Sequence, residues 1–78
     1  MRVRVYVSLK DGVLDPQGKA IQHSLDTLGF KEVKDVRVGK VITLDLDGEP
    51  EAVEARVKRM CEELLANTVI ESYRYEVE

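Results

Sequence analysis

The sequence predicts a small α+β domain with the element order βαββαβ, in which two helices cover one face of an antiparallel sheet. Three observations predict it. The chain begins with a run that alternates apolar and polar residues, two amphipathic segments with helical spacing follow, and it ends on another alternating run. At 78 residues we expect a single domain, residues 1–78. Its core is expected to be thin, because a chain this short buries only about 60% of the surface that its unfolded form exposes.

The first strand and the first helix carry clear local signals. In RVRVYVSL the apolar residues share one face of a strand: Val3, Val5, Val7 and Leu9. Asp15 before Pro16 predicts a helix start, because an N-cap carboxylate accepts hydrogen bonds from free N–H groups and proline is preset for the first helical turn. The helix carries one apolar stripe, predicted to be buried: Ile21, Leu25 and Leu28. Gly29 predicts a left-handed helix end, with Phe30 placed to contact Leu25.

The middle of the chain, VKDVRVGKVITLDLD, reads as extended structure interrupted at Gly39 and Lys40. The simplest prediction is a hairpin of two strands that meet near Gly39. Its apolar positions are all even-numbered: Val36, Val38, Ile42, Leu44 and Leu46. A two-residue turn would place even positions opposite odd ones, whereas an odd-length loop, a bulge at Gly39 or one long bent strand would keep them on a shared face. One long bent strand is therefore the alternative to the hairpin.

A second helix is predicted to start at Gly48–Pro50 and to stop at Asn67 in a left-handed conformation. Its apolar stripe consists of Val53, Val57, Met60 or Cys61, and Leu64, with Leu65 beside it. The run VIESYRYEV is the last strand, which completes a ferredoxin-like order. One sheet face would then stay uncovered, with mixed side chains that suit a second copy of the sheet or a partner chain: Tyr6, Arg37, Val41, Thr43 and Arg74.

Composition and charge exclude several classes of function. The net charge is −3, with twelve basic and fifteen acidic residues interspersed, which gives no basic footprint for nucleic acid. No apolar stretch approaches the ~20 residues that span a bilayer, and the alternating N-terminus is unlike a secretory signal, so we expect a cytoplasmic protein. The single histidine and the single cysteine, His23 and Cys61, have no companions for metal binding or nucleophilic catalysis.

The loop LKDGVLDPQG has more than one interpretation. Asp15 would repel a phosphate from the helix start, and the glycine spacing of phosphate-binding loops is absent. Gly18 implies a close backbone approach, either by a strand of the same domain or by a partner. Val13 and Leu14 either pack under the helix or offer an apolar knob to another chain. Two basic residues beside Gly39 either pair with acids of a partner or are solvated: Arg37 and Lys40.

Three stretches together carry a family resemblance. VYVSLKDGVLDPQGKAIQHSLDTLGF, VKDVRVGK and MCEELLANTVIESYRYEVE resemble the PurS subunits of phosphoribosylformylglycinamidine synthase over essentially the whole chain. The resemblance implies a noncatalytic subunit that bridges a PurL-type synthetase and a PurQ-type glutaminase, so that ammonia passes between them in de novo purine (IMP) biosynthesis. It also implies no cofactor in this subunit, ATP and magnesium in the complex, and a homodimer, or a tetramer made of two dimers.

With that role, residues on loops and strand ends are expected to shape or touch the interfaces: Lys10, Val13, Leu14, Asp15, Gly18, Arg37, Gly39, Lys40 and Asn67. An alternative from another class is a regulatory module of the same fold that senses a small molecule between two sheets. An acylphosphatase-type enzyme would need an arginine in the loop after the first strand, and LKDGVLDPQG has none.

Overall fold

The computed structural model describes residues 1–78, apart from the side chain at position 50. Three strands form one antiparallel sheet in the order β2-β1-β3: β1 (Arg2–Leu9), β2 (Lys40–Asp45) and β3 (Glu71–Val77). Two helices accompany it, and the second continues into a π-helical turn: α1 (Pro16–Thr27), α2 (Pro50–Met60) and the turn Cys61–Leu65. The predicted α+β class is confirmed.

The core lies between one face of the sheet and α2. β1 is the central strand, and its odd-numbered residues point toward α2, as their alternation with arginine, tyrosine and serine predicts. The buried apolar residues all belong to β1, α2 and the segment after α2: Val3, Val5, Val7, Val53, Val57, Cys61 and Ala66. Side chains of β2 and β3 close the rim of this cluster, including Ile42, Leu44, Tyr73 and Tyr75.

The predicted fourth strand is wrong, because residues 33–39 form no strand. Neither a hairpin at Gly39 nor one long bent strand is present in the described chain. The reason is that backbone groups of this segment are hydrogen-bonded to side chains. The Val38 N–H donates to the Asp15 carboxylate, and the Lys34 carbonyl accepts from the Gln22 amide. Side chains therefore take hydrogen bonds that a neighbouring strand would otherwise take.

The predicted packing of both helices on one sheet face is also wrong within a single chain. α2 covers the sheet, but α1 contributes no residue to the core, and Gly18 is its one buried residue. The stripe expected to be buried is largely open, since Leu28 is 73% and Ile21 is 38% exposed. The radius of gyration is 16.0 Å, with extents of 50 × 25 × 14 Å, whereas a compact chain of this length would have about 12 Å. The first helix projects from the body.

The two helices end differently. α1 closes as predicted: Gly29 has φ +102°, its N–H donates to Asp26, and the Phe30 N–H reaches back to the Leu25 carbonyl, each at 3.0 Å. The predicted left-handed stop at Asn67 is wrong, because Asn67 does not have a positive φ. The second helix instead runs through the π-helical turn to an extended Ala66.

The π-helical turn also changes which residues face the core. Leu64, predicted to be part of the buried stripe, is 82% exposed. Cys61 and Ala66 occupy core positions instead. A π turn takes one more residue than an α turn, so the apolar pattern read at α-helical spacing loses its phase here.

The second sheet face carries the mixed side chains that the sequence predicts, with the exception of Arg37, which lies elsewhere. The Arg74 guanidinium lies 3.9 Å from the centre of the Tyr6 ring, and the Tyr6 hydroxyl donates to Glu76. Arg4 forms an ion pair with Glu78 at 2.8 Å. The hydrogen bonds from Arg74 and then Tyr6 lower the pKa of Glu76. Within the single chain this face is covered by no helix.

Replacing Val57 with alanine should test where the core lies. Val57 is fully buried between α2 and the sheet, so the change should lower the free energy of unfolding by about 2 kcal/mol through lost burial and the cavity left behind. Val41→Ala is the matched control, because Val41 is 56% exposed on the opposite sheet face. Urea unfolding measures both variants. Equal losses at the two positions would contradict the assigned core.

Candidate protein interaction site

The chain leaves and re-enters the sheet through one junction, which we call the neck (residues 10–15 and 36–40). The part beyond it, residues 16–35, contains α1 and is called the arm. The outgoing side of the neck begins with a tight turn, in which the Val13 N–H donates to the Lys10 carbonyl at 3.2 Å and Gly12 has φ +83°. Glycine is the residue that adopts this conformation at least cost.

Asp15 joins the two sides of the neck. One carboxylate oxygen accepts from the Gly18 N–H at 2.8 Å, which caps α1 as the sequence predicts, and the other accepts from the Val38 N–H at 2.7 Å. The side chain is buried, at 4% exposure. The hydrogen bond from Val38, followed by that from Gly18, lowers the pKa of Asp15, and nearby Arg37 acts in the same direction.

Arg37 makes the converse connection. Its guanidinium donates to the Val13 carbonyl at 2.8 Å and to the Lys10 carbonyl at 3.1 Å. Both acceptors lie on the outgoing side of the neck, whereas Arg37 lies on the returning side. Arg37 was predicted to face either a partner's acids or solvent. Instead, two of its N–H donors bind backbone carbonyls of the same chain.

Two glycines allow close approaches at the neck: Gly39 within it and Gly18 at the start of the arm. A Cβ atom at Gly18 would overlap the Val36 carbonyl oxygen, and one at Gly39 would lie 2.7 Å from the Val7 carbonyl oxygen. Both neighbours belong to the same chain. For Gly18 the structure therefore supports the close approach within the domain rather than the approach by a partner.

The remaining polar candidates lie at the same end of the sheet. The Lys10 N–H donates to the Ile70 carbonyl, and its ammonium donates to the Thr68 carbonyl at 2.7 Å. The Asn67 side chain accepts from the Val69 N–H, which fixes the turn before β3. Lys40 opens β2 opposite Val7 and is exposed. The structure thus brings the nine candidates of the sequence analysis to the same end of the sheet.

The apolar candidates differ from the polar ones. Leu14 is 70% exposed, while Val13 is half-buried, so Leu14 is free to contact another chain, and that contact stays a prediction. Sequence reasoning missed Leu64 and Val69, which are also strongly exposed near the turn before β3. Leu64 was missed because the π turn carries no α-helical period, and Val69 because its strand begins two residues later than expected.

The reactive side chains have no catalytic arrangement in the described part of the chain. His23 lies exposed on α1, and the Cys61 thiol is buried, which raises its pKa. A cleft of about 310 Å³ beside the neck includes Ser8, Asp15 and Glu71 in its lining, but the Asp15 oxygens are committed to backbone N–H groups. Among the described residues, no three His, Cys, Asp or Glu side chains are grouped to hold a metal ion, and no helix could cross a membrane.

Comparison with known proteins identifies the family. Residues 2–78 match the family model of PurS, phosphoribosylformylglycinamidine (FGAM) synthase. The chain belongs to the PurS family. PurS subunits of FGAM synthase are similar along nearly all of it: that of Bacillus subtilis is 57% identical over 99% of this chain and 92% of its own, and that of Synechocystis is 48% identical over 95% and 75%.

Solved PurS structures share the fold. A structure of Bacillus subtilis PurS has a TM-score of 0.91 at 57% identity and covers 99% of this chain and 96% of its own. A chain in a structure of PurLQS from Thermotoga maritima has a TM-score of 0.87 at 36% identity, over 96% of this chain and 93% of its own. The projecting arm therefore belongs to an architecture that PurS proteins share.

Asp15→Asn should change how stability depends on pH. Because folding lowers the pKa of Asp15, its ionised form stabilises the protein above the ordinary value of 3.8, and that stability is lost as pH falls through the lowered folded-state pKa. The amide would also place an N–H donor against one of the two backbone N–H groups that the carboxylate binds, that of Val38 or that of Gly18. We expect the variant to unfold at lower urea concentration at neutral pH, with the difference shrinking in acid.

Asp11→Asn is the control for this pH series, because Asp11 is exposed on the same loop and should leave the profile unchanged. Urea midpoints from neutral to acid pH give the comparison. A gap between Asp15→Asn and wild type that stays constant over the whole series would show that the Asp15 charge contributes nothing.

Proposed function

We propose that this chain is the small noncatalytic subunit of FGAM synthase and that it joins a PurL-type synthetase to a PurQ-type glutaminase in de novo purine biosynthesis. One observation carries the proposal: the PurS family model matches residues 2–78, nearly the full chain. The similarity to a chain of the Thermotoga maritima PurLQS structure supports the choice of partners. We expect the assembly to work in the cytoplasm.

The chemistry of the chain supports a docking role. The one buried carboxylate, the one cysteine and the arginine of the neck are all used to hold the chain itself, as described above. ATP and magnesium would be bound by the synthetase. The physical reason for a docking subunit is that ammonia released into bulk water is protonated and diluted, so the two active sites must be joined and shielded before glutamine hydrolysis is useful.

The arm supports a homodimer as the working form. Its exposed apolar residues, counted with the adjoining neck, are Leu14, Ile21, Leu28 and Phe30. Ile21 and Leu28 are seven residues apart and so lie on the same side of α1. A second copy is the partner we favour, because a two-fold axis covers both arms at once with one self-complementary contact. Burying these side chains would supply the core that the first helix lacks in the single chain.

A reconstitution experiment tests the subunit function. The chain is mixed with a PurL-type and a PurQ-type subunit, with glutamine and ATP–magnesium supplied, and the complex is followed by size-exclusion chromatography while FGAM formation is assayed. We expect a ternary complex and glutamine-dependent product only when the chain is present. Product and complex at the same level without it would overturn the proposal.

Leu28→Lys should weaken the homodimer. A lysine on the exposed apolar side of the arm would be desolvated in the contact, and its position near the C-terminus of α1 keeps the helix itself stable. We expect the dimer dissociation constant to rise tenfold or more, about 1.4 kcal/mol, in sedimentation equilibrium. His23→Lys is the control, because His23 lies about 200° around the helix from Ile21. Equal effects of the two changes would place the contact elsewhere.

A further inference from the structure

We propose that Arg37 and Asp15 act as positioning residues that set the direction of the arm, and that their contribution to assembly does not come from touching a partner. This inference rests on the proposed function, because the arm direction matters through the contacts that the arm makes. It concerns residues of two separate sequence motifs, LDPQG and VRVGK, which the fold brings together in the neck.

The arm depends on the neck for its direction. No residue of α1 belongs to the buried core, and the molecule is elongated. Nothing packs the arm onto the α2-covered face of the sheet. Its direction relative to the body is therefore fixed where the chain passes out and returns, at residues 10–15 and 36–40.

The two sides of the neck bind each other through one charged side chain each, an arrangement that we call the clasp. Asp15, on the outgoing side, accepts from the Val38 N–H on the returning side at 2.7 Å. Arg37, on the returning side, donates to the Val13 and Lys10 carbonyls on the outgoing side at 2.8 and 3.1 Å. Each side of the neck thus uses a charged side chain to bind the backbone of the other side.

The clasp is attached to the sheet on both sides of the neck. The Lys10 N–H extends the β1–β3 pairing by donating to the Ile70 carbonyl, and its ammonium binds the Thr68 carbonyl. On the other side, Lys40 pairs with Val7 of β1, and the lack of a side chain at Gly39 lets the returning segment pass close to the Val7 carbonyl. The arm is therefore connected to the sheet at two points, next to Lys10 and next to Gly39. The clasp keeps those two points together.

A lysine substitution distinguishes a positioning role of Arg37 from direct contact with a partner. A lysine at position 37 keeps the positive charge, but it has a single nitrogen in place of the planar fork that reaches two carbonyls. If Arg37 served a partner's carboxylate, Arg37→Lys would keep much of the effect. If Arg37 closes the clasp, Arg37→Lys should behave like Arg37→Ala.

The test measures the direction of the arm. Spin labels are placed at His23→Cys on the arm and Thr43→Cys on β2, both exposed, with the buried Cys61 replaced by alanine. The distance distribution is recorded by pulsed electron spin resonance in the Leu28→Lys background, so that a second copy does not hold the arm. We expect one narrow distribution with Arg37 and Asp15 intact, and broad ones in Arg37→Lys, Arg37→Ala and Asp15→Asn. Lys34→Ala, another exposed cation two residues outside the neck, should stay narrow.

Assembly is measured in parallel with Leu28 restored. The dimer dissociation constant should rise several-fold in Arg37→Lys and Arg37→Ala alike, while Lys34→Ala leaves it unchanged. Narrow distances in both Arg37 variants overturn the inference, and if their dimer is nevertheless weaker, Arg37 touches a partner. The distance measurement needs no partner, so it decides the role of the neck even if the wild-type chain fails to dimerise or the reconstitution fails.

Discussion

The structure depends on the two hydrogen bonds that the Asp15 carboxylate accepts. One oxygen starts α1, and the other holds the Val38 N–H. The second bond takes the Val38 N–H from strand pairing, because a donor already bound to a side chain cannot also serve a neighbouring strand. The sheet has three strands, and the helix that follows Asp15 is directed away from it. A single buried carboxylate thus both starts the first helix and joins its base to the returning segment.

The separation of core and arm has an energetic meaning. The buried apolar residues lie on β1, α2 and the segment after α2, so the body can fold without burying the first helix. Apolar surface left open on the arm contributes little to that folding, and it remains available for burial against another chain. In a chain of this length, which cannot build a large core, such a division uses the limited apolar surface for assembly as well as for stability.

Local signals in the sequence were sufficient for the elements whose hydrogen bonds are themselves local. The Asp15–Pro16 helix start and the Gly29 helix end concern partners within a few residues. The alternation of β1 marks its buried face even though its strand partners lie far along the chain. The segment of residues 33–39 was different, because its alternation is equally compatible with a strand and with a backbone bound by distant side chains. The stripe of α1 showed that a face is apolar, but periodicity does not say which chain covers it. For the site, the motifs chosen from the sequence lie together in the fold, but the acceptor carbonyls of Thr68 and Ile70 have no side-chain signal.

The neck also suggests how motifs should be read in a noncatalytic subunit. In an enzyme, a charged residue in a specific motif is first suspected of touching substrate. Here the buried Asp15 carboxylate accepts from backbone N–H groups, and the Arg37 guanidinium donates to backbone carbonyls. Both side chains fix the relation between two parts of one chain, and the exposed residue next to Asp15, Leu14, carries no charge. In such a protein the specific residues define geometry, and the residues that meet a partner can be simple apolar side chains held in the right place.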